Sequence, residues 1–342
     1  MSKTVRQSNI ELLRIVSMLA VILVHLDGAA LGLPLPSGLS AANGPDIWKL
    51  VVESVTIIGV NCFTLISGYF GIRASVGGLL RLTAVCIFYS VGLYTLAAAS
   101  GLVGWSFGTW IESWMVYTHT DLWYVPAYML LYLLSPFLNA AIASMTDRQM
   151  TLWTAMFTVA NIWCGWAWDA SFNPTGYTPV QLIMMYLIGR WLAQRRDSHN
   201  RLNAIMPIGV YFLSTGVTLA VSLYMPPVKA FAYNAPWVIV SSVALFMFFA
   251  RLNFRSTSVN MLAKGAFAAY LIHKNPLVWG GIVRPAAIDV WQQNSLILYS
   301  AFCLGFTSLI YLLSAVADAV RRWLFGKAEL LADDKVKIKT RE

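Results

Sequence analysis

Apolar runs long enough to cross a bilayer recur along the whole of this chain. A membrane helix needs about 20 such residues in a row. Ten segments have that length and character, at about 9–31, 47–70, 76–99, 121–143, 149–168, 178–194, 203–225, 235–251, 262–282 and 295–323. Charged residues make up 11% of the 342-residue chain, against about 25% in an ordinary soluble domain. The expected fold is therefore all-α: a polytopic membrane helix bundle of about ten transmembrane helices. It would occupy residues 1–325, with a charged cytoplasmic tail over 326–342 whose end, DDKVKIKTRE, reads as disordered.

The basic residues give the bundle a direction. With the N-terminus inside, the inner segments hold Lys3, Arg6, Arg73, Arg81, Arg148, Arg195, Arg196, Arg201, Arg251, Arg255, Lys264, Arg321 and Arg322. The outer segments hold only Lys49, Lys229, Lys274 and Arg284. This is the positive-inside asymmetry, and it expects both termini in the cytoplasm. The net charge of +9 comes from the same bias and does not point to nucleic acid. Cys62, Cys86, Cys164 and Cys303 lie inside apolar runs and read as small core hydrophobes. Glu11 and Arg14 interrupt the first run, which makes it a retained helix rather than a cleaved signal.

That first run carries charges a lipid-facing helix should not carry. Arg14 and His25 are eleven positions apart, three turns plus about 20°, so they leave one face about 16 Å apart. Glu11 lies about 60° away on the same side. Such a strip points into a bundle or a cavity, because lipid penalises each charge by about 2.5 kcal/mol or more. Glu53, in the second span, sits at a depth similar to that of His25, each about 9 Å from the outer end of its helix. A carboxylate on one ring nitrogen would orient an imidazole as a general base; the same pair could also merely tie two helices together. Arg14, Arg73 and Arg81 suit a phosphorylated ligand arriving from inside, although positive-inside bias alone would place the last two. His273 precedes Lys274, Asn275 and Pro276, a polar step at which the helix can break beside a cavity. His119 and His199 lie in loops and take no role. The loops over 100–120 and 163–177 carry three tryptophans each, as an interfacial belt or as stacking surfaces for sugars. No residue spacing suits a metal, and no phosphate-binding loop or nucleophile elbow occurs.

The stretch Glu11–His25, ELLRIVSMLAVILVH, has an arginine, ten residues and a histidine. It resembles the opening of the membrane acyltransferase-3 family. Gly59–Ile72, Leu122–Asn139, Met185–Leu192 and Ala263–Pro276 resemble further segments of that family's bacterial polysaccharide O-acyltransferases, in the same order. The resemblance implies ten helices in the bacterial cytoplasmic membrane and no permanently bound cofactor. It implies acetyl-CoA or another acyl-CoA as the cytoplasmic donor, and transfer to a hydroxyl of an exported carbohydrate or its lipid-linked precursor. Arg14 and His25 match the family motif, with His25 as the residue expected to act on the acyl transfer. Gly78 stands where many members have the first of two arginines, leaving Arg81 for the donor with Arg73 as a substitute. No hydrolase-like domain is fused at the C-terminal end, which reads as a stand-alone transferase.

The mechanism expected from these residues has the donor phosphates on Arg14, Arg73 and Arg81. His25, oriented by Glu53, takes the acceptor proton or forms an acyl-histidine. Asn61, Tyr128, His273 and Asn275 are candidate acceptor or oxyanion contacts. The competing readings are a flippase or exporter of lipid-linked oligosaccharide without acyl transfer, and a ligand-sensing membrane module.

Overall fold

The computed structural model describes residues 7–36, 38, 43–118, 122–168, 172–195 and 204–339, with side chains described to residue 326. His119, His199, Lys3, Arg6, Arg196 and Arg201 lie outside the described residues. The described part is helical, with no strand among the described residues. Six of its helices are long and apolar enough to cross a membrane: Ser8–Ala29, Gly44–Phe70, Val76–Ala99, Tyr124–Ser144, Ile205–Ser222 and Leu296–Gly326. Three of the other expected spans form the shorter helices Asp147–Ala160, Pro179–Gln194 and Pro236–Arg251. The fourth, expected over 262–282, is a series of short helical pieces.

The helices that place the site are these. Helix α1 (Ser8–Val24) widens into a π-helical turn over His25–Ala29. A short loop leads to α2 (Gly44–Thr56) and α3 (Gly59–Phe70), which together make one kinked span. Then come α4 (Val76–Ala99), α5 (Phe107–Glu112), α6 (Tyr124–Ser144), α7 (Asp147–Ala160) with a second π-helical stretch Asn161–Ala167, and α8 (Pro179–Gln194). Helices α9 (Ile205–Ser222), α10 (Pro236–Arg251), α11 (Thr257–Leu262), α12 (Ala266–His273), α13 (Arg284–Trp291) and α14 (Leu296–Lys339) complete the bundle. The backbone of α14 stays helical through most of the segment that composition marks as a disordered tail.

Helix α1 is the hub. It packs on α2, α3, α10, α11, α12 and α14. Its N-terminal end is pinned by Asn9, whose Nδ2 donates to the carbonyls of Phe249 at 3.0 Å and Ala250 at 3.3 Å. This wrapping explains how α1 carries Glu11, Arg14, His25 and Asp27: its polar strip meets protein and a cavity rather than lipid. Helix α3 lies in the centre, and small residues let it come close to its neighbours. A Cβ on Gly59 would lie 2.7 Å from the Ser17 carbonyl of α1, and one on Gly189 of α8 would lie 2.9 Å from Gly68 Cα. Without a hydrophobic force between helices in lipid, such backbone approaches supply much of the packing energy.

The break expected at Pro276 is present. Helix α12 ends at His273, and the Asn275 side chain accepts a hydrogen bond from the Leu277 N–H at 3.1 Å, starting a new short turn. Proline there has no N–H to continue the α12 ladder. The helix end therefore holds His273 at a fixed point deep in the bundle.

Candidate active site

A cavity of about 310 Å³ lies between α1, α3, α6 and α12. Arg14 lines it at one level and His25 at another, as three turns of one helix face require. Apolar side chains such as Met18, Val21 and Phe63 make most of the wall. Tyr124, Tyr128, Tyr270 and Ser67 add hydroxyls, with Tyr128 Oη 3.4 Å from Ser67 Oγ. The cavity thus joins a cation to an imidazole through a largely apolar passage.

His25 sits where α1 changes from α to π winding, a distortion that often marks functional positions. Its Nδ1 is 2.9 Å from His273 Nε2, and the ring centroids are 5.1 Å apart. His273 is fully buried, and its Nδ1 is 2.5 Å from the Ala269 carbonyl oxygen one turn back in α12. The edge of Trp279 closes another side of His25, with ring centroids 6.0 Å apart, and the Lys274 ammonium lies 4.3 Å over the Trp279 ring. Arg14 is half-buried; its Nε makes no hydrogen bond, and Glu11 Oε2 stands 3.8 Å away. That ion pair leaves the guanidinium lining the cavity, where its charge can draw an anion that enters.

The acyltransferase domain family matches residues 7–315 of this sequence. The chain belongs to the acyltransferase-3 family. No curated protein and no solved structure matches it. As a membrane acyltransferase, it needs a site for a donor and a group to manage the proton of the acceptor, which neither a flippase nor a sensor module requires.

The acyltransferase brings together some of the residues expected from sequence and separates others. His25 and Arg14 share the cavity, and Tyr128 is on its wall. Glu53 does not meet His25: no hydrogen bond joins them. The Glu53 carboxylate lies against Gly28, accepts from the Gly28 N–H, and leaves Oε2 without a hydrogen-bond partner. Equal depth therefore did not mean contact, because the π-helical turn carries His25 toward α12 and presents Gly28 to α2. Asn61 has both ends of its amide engaged: Nδ2 donates to the Tyr233 carbonyl at 2.9 Å and Oδ1 accepts from Gln181 at 3.0 Å. Asn275 caps its own turn. Arg73, in the loop before α4, and Arg81, in its second turn, are exposed and do not line the cavity. A Cβ on Gly78 would collide with the Tyr132 hydroxyl, so a larger residue there would require that tyrosine side chain to shift.

Three features of the site go beyond what sequence pattern predicts. The partner of His25 is His273, 248 residues away, a contact that no local pattern encodes. Asp27 is fully buried with neither carboxylate oxygen hydrogen-bonded; an acidic residue two positions beyond His25 within a span was the available signal. Trp123, Tyr177 and Tyr233 form an aromatic group, with centroids 4.6 Å apart for Tyr177–Tyr233 and 4.9 Å for Trp123–Tyr177. Trp123 and Tyr233 face the cavity. The tryptophans of the expected loops are partly structural instead: Trp166 Nε1 donates to the Lys229 carbonyl at 2.9 Å. Trp105, exposed just before the short helix α5, lies 6.3 Å from Trp110 within it, centroid to centroid. Among the described residues, no group of three or more His, Cys, Asp or Glu is placed to hold a metal ion.

Proposed function

We propose that this acyltransferase moves an acyl group, acetyl first among the candidates, from cytoplasmic acyl-CoA to a hydroxyl of a carbohydrate on its way to the cell surface. One observation carries the reading: a single cavity connects Arg14 to His25. A thioester arm entering past a guanidinium would place its carbonyl near the imidazole, with the anionic end of the donor held by Arg14. Arg73, just before α4, and Arg81, within its second turn, both exposed, would meet the donor before it enters. On this reading the chain is a multi-pass protein of the bacterial cytoplasmic membrane with about ten passes, the Arg14 end of α1 inward and the His25 end outward.

The reaction breaks the C–S bond of the thioester and forms a C–O bond. His25 takes the acceptor proton as the oxygen attacks, and returns it to the departing thiolate, so no net proton is consumed. A route through an acyl-imidazole on the same ring uses the same lone pair as nucleophile. Hydroxyls on the cavity wall, those of Tyr124, Tyr128, Tyr270 and Ser67 among them, would supply donors for a developing oxyanion. Trp123 and Tyr177 offer flat faces on which a sugar ring can stack, next to the cavity.

The experiment is release of free thiol from acetyl-CoA by the purified protein in lipid nanodiscs, with and without an acceptor saccharide. Thiol release that depends on His25 supports the reading; none, with the protein intact, overturns it. One equivalent released without acceptor selects the acyl-imidazole route. Orientation is read separately: Leu35, 80% exposed, replaced by cysteine should react with a membrane-impermeant reagent on intact cells, and reaction at Arg148→Cys instead would invert the topology.

A further inference from the structure

We infer that His273 is the positioning residue that sets the tautomer of His25, leaving the lone pair on Nε2 of His25 for the reaction. This rests on the acyl-transfer reading only for its consequence; the hydrogen-bond logic stands without it.

One carbonyl decides the direction of the relay. The Ala269 oxygen can accept a hydrogen bond but cannot donate one. His273 Nδ1 points at it from 2.5 Å, so that nitrogen must carry the hydrogen. In a neutral imidazole the other nitrogen then has a lone pair. His273 Nε2 is therefore an acceptor, and it is the atom that meets His25 Nδ1 at 2.9 Å. Two nitrogens at that distance need one hydrogen between them, and it must belong to His25 Nδ1. A neutral His25 with hydrogen on Nδ1 has its lone pair on Nε2.

The alternative is a charged His273. It would donate from both nitrogens, turn His25 Nδ1 into the acceptor and place a hydrogen on His25 Nε2, which disarms it. His273 is fully buried, and among the described residues its ring nitrogens meet the Ala269 carbonyl and His25 rather than a carboxylate. An uncompensated charge there is expensive. The neutral arrangement is thus the one the surroundings favour. The relay does what a carboxylate does for the histidine of a serine hydrolase, with a backbone carbonyl as its final anchor in place of an anion. The anchor works because α12 ends at His273, where the Asn275–Pro276 break holds the ring one turn above Ala269.

During transfer, His25 Nε2 accepts the hydroxyl proton as the C–O bond forms. The resulting imidazolium keeps its Nδ1–H on His273 Nε2, and the Nε2 proton leaves with the thiolate sulfur as the C–S bond breaks. His273 neither gains nor loses a proton over the cycle. It changes how often His25 is in the reactive form and orientation, so its loss should lower kcat rather than weaken donor binding.

The test uses the full-length protein in nanodiscs, labelled with ¹⁵N-histidine. The chain has only four histidines, and His25→Ala and His273→Ala assign the two signals. The expected spectrum shows His25 and His273 each protonated at Nδ1 and unprotonated at Nε2. His273→Ala should leave His25 as a mixture of tautomers and lower kcat by about 10²–10⁴-fold with KM for acetyl-CoA within about twofold. His273→Gln puts an amide oxygen near the place of Nε2 and should restore the Nδ1 tautomer and at least about tenfold of the lost rate. A wild-type spectrum with hydrogen on His25 Nε2 would overturn the inference whatever the enzyme's activity. So would a His273→Ala protein in which His25 keeps a pure Nδ1 tautomer. Failure of acyl transfer itself would show as wild-type protein with the expected tautomers and no thiol release, a distinct result.

Discussion

Two buried polar clusters in the bundle are built on opposite principles. One joins Asn61, Gln181, Asn161, Asn173, Thr178 and Asn234. Asn161 Nδ2 donates to Gln181 Oε1 at 2.8 Å, Gln181 Nε2 donates to the Tyr233 carbonyl at 2.8 Å, and Thr178 Oγ1 donates to Asn173 Oδ1 at 2.6 Å. Within it, only Asn234 Oδ1 is left without a partner. The other is the pair His25–His273, which ends on one side at a backbone carbonyl and on the other at a ring nitrogen facing a cavity. The first cluster is nearly closed and ties α3, α7 and α8 to the segment before α10. The second is left open at one atom. Polar residues in a bundle thus divide by whether their last valence is spent on the protein or kept for a ligand, and burial alone does not separate the two.

The largest expected effect breaks the comparison at its open end. His25→Ala should lower acyl transfer by about 10²–10⁴-fold, measured as thiol release at saturating acetyl-CoA, while the unfolding midpoint in detergent moves little. The closed cluster predicts the reverse. Asn161→Ala strands Gln181 Oε1 and Asn173 Nδ2, each bonded to Asn161 in the native protein, and should destabilise by about 1–3 kcal/mol per group left unpartnered. Its kcat per folded molecule should stay within about tenfold of wild type, or 1.4 kcal/mol. If Asn161→Ala were stable but inactive, the two clusters would not be different in kind.

Sequence periodicity was a good guide to one side of this picture and a poor one to the other. The strip on α1 was legible because 3.6 residues per turn puts Arg14 and His25 on one face, and both do line the cavity. The all-helical architecture, the helix Val76–Ala99 and the break at Pro276 were legible from apolar run length and from the chemistry of proline. The contacts made across the bundle were not. His25 could pair with any polar group at its depth, and choosing Glu53 required α1 to stay α-helical past residue 24. The five-residue π-helical turn His25–Ala29 rotates the side chains beyond Val24, and nothing in HLDGA announces that. Arg73 and Arg81 carried the charge pattern of a phosphate site, but their direction depends on how α4 leaves the bundle, which the pattern does not contain.

The two ends of the cavity should separate in kinetics. Arg14→Ala removes a cation that lines the passage beside its ion-pair partner Glu11. A direct contact of that kind is worth about 1.5–3 kcal/mol, so KM for acetyl-CoA should rise by about 10- to 100-fold with kcat changed less. Arg73→Ala should raise it by less than about threefold at physiological salt, since that side chain is exposed and its field is screened within about 8 Å. Equal effects from both would mean that the donor's anionic end lies outside the cavity, over α4.

The smallest expected effect is the most discriminating for the assignment of roles. Helix depth alone makes Glu53 the orienter of His25, and then Glu53→Gln would cost the enzyme its general base. The structure sends the Glu53 carboxylate elsewhere. Its Oε2 lies 2.9 Å from where a Cβ on Gly28 would be, and the His25 nitrogen that an orienter must hold is already occupied by His273. Gln is close to Glu in shape and still accepts the Gly28 N–H through its amide oxygen. Glu53→Gln should therefore change kcat by less than about threefold, or 0.7 kcal/mol. Gly28→Ala adds a methyl group against that same carboxylate and must push it aside, so it should lower the unfolding midpoint more than Glu53→Gln does. A loss near that of His25→Ala in the Glu53→Gln enzyme would instead show that Glu53 reaches the imidazole in the donor complex, and that the histidine pair seen here is the resting arrangement.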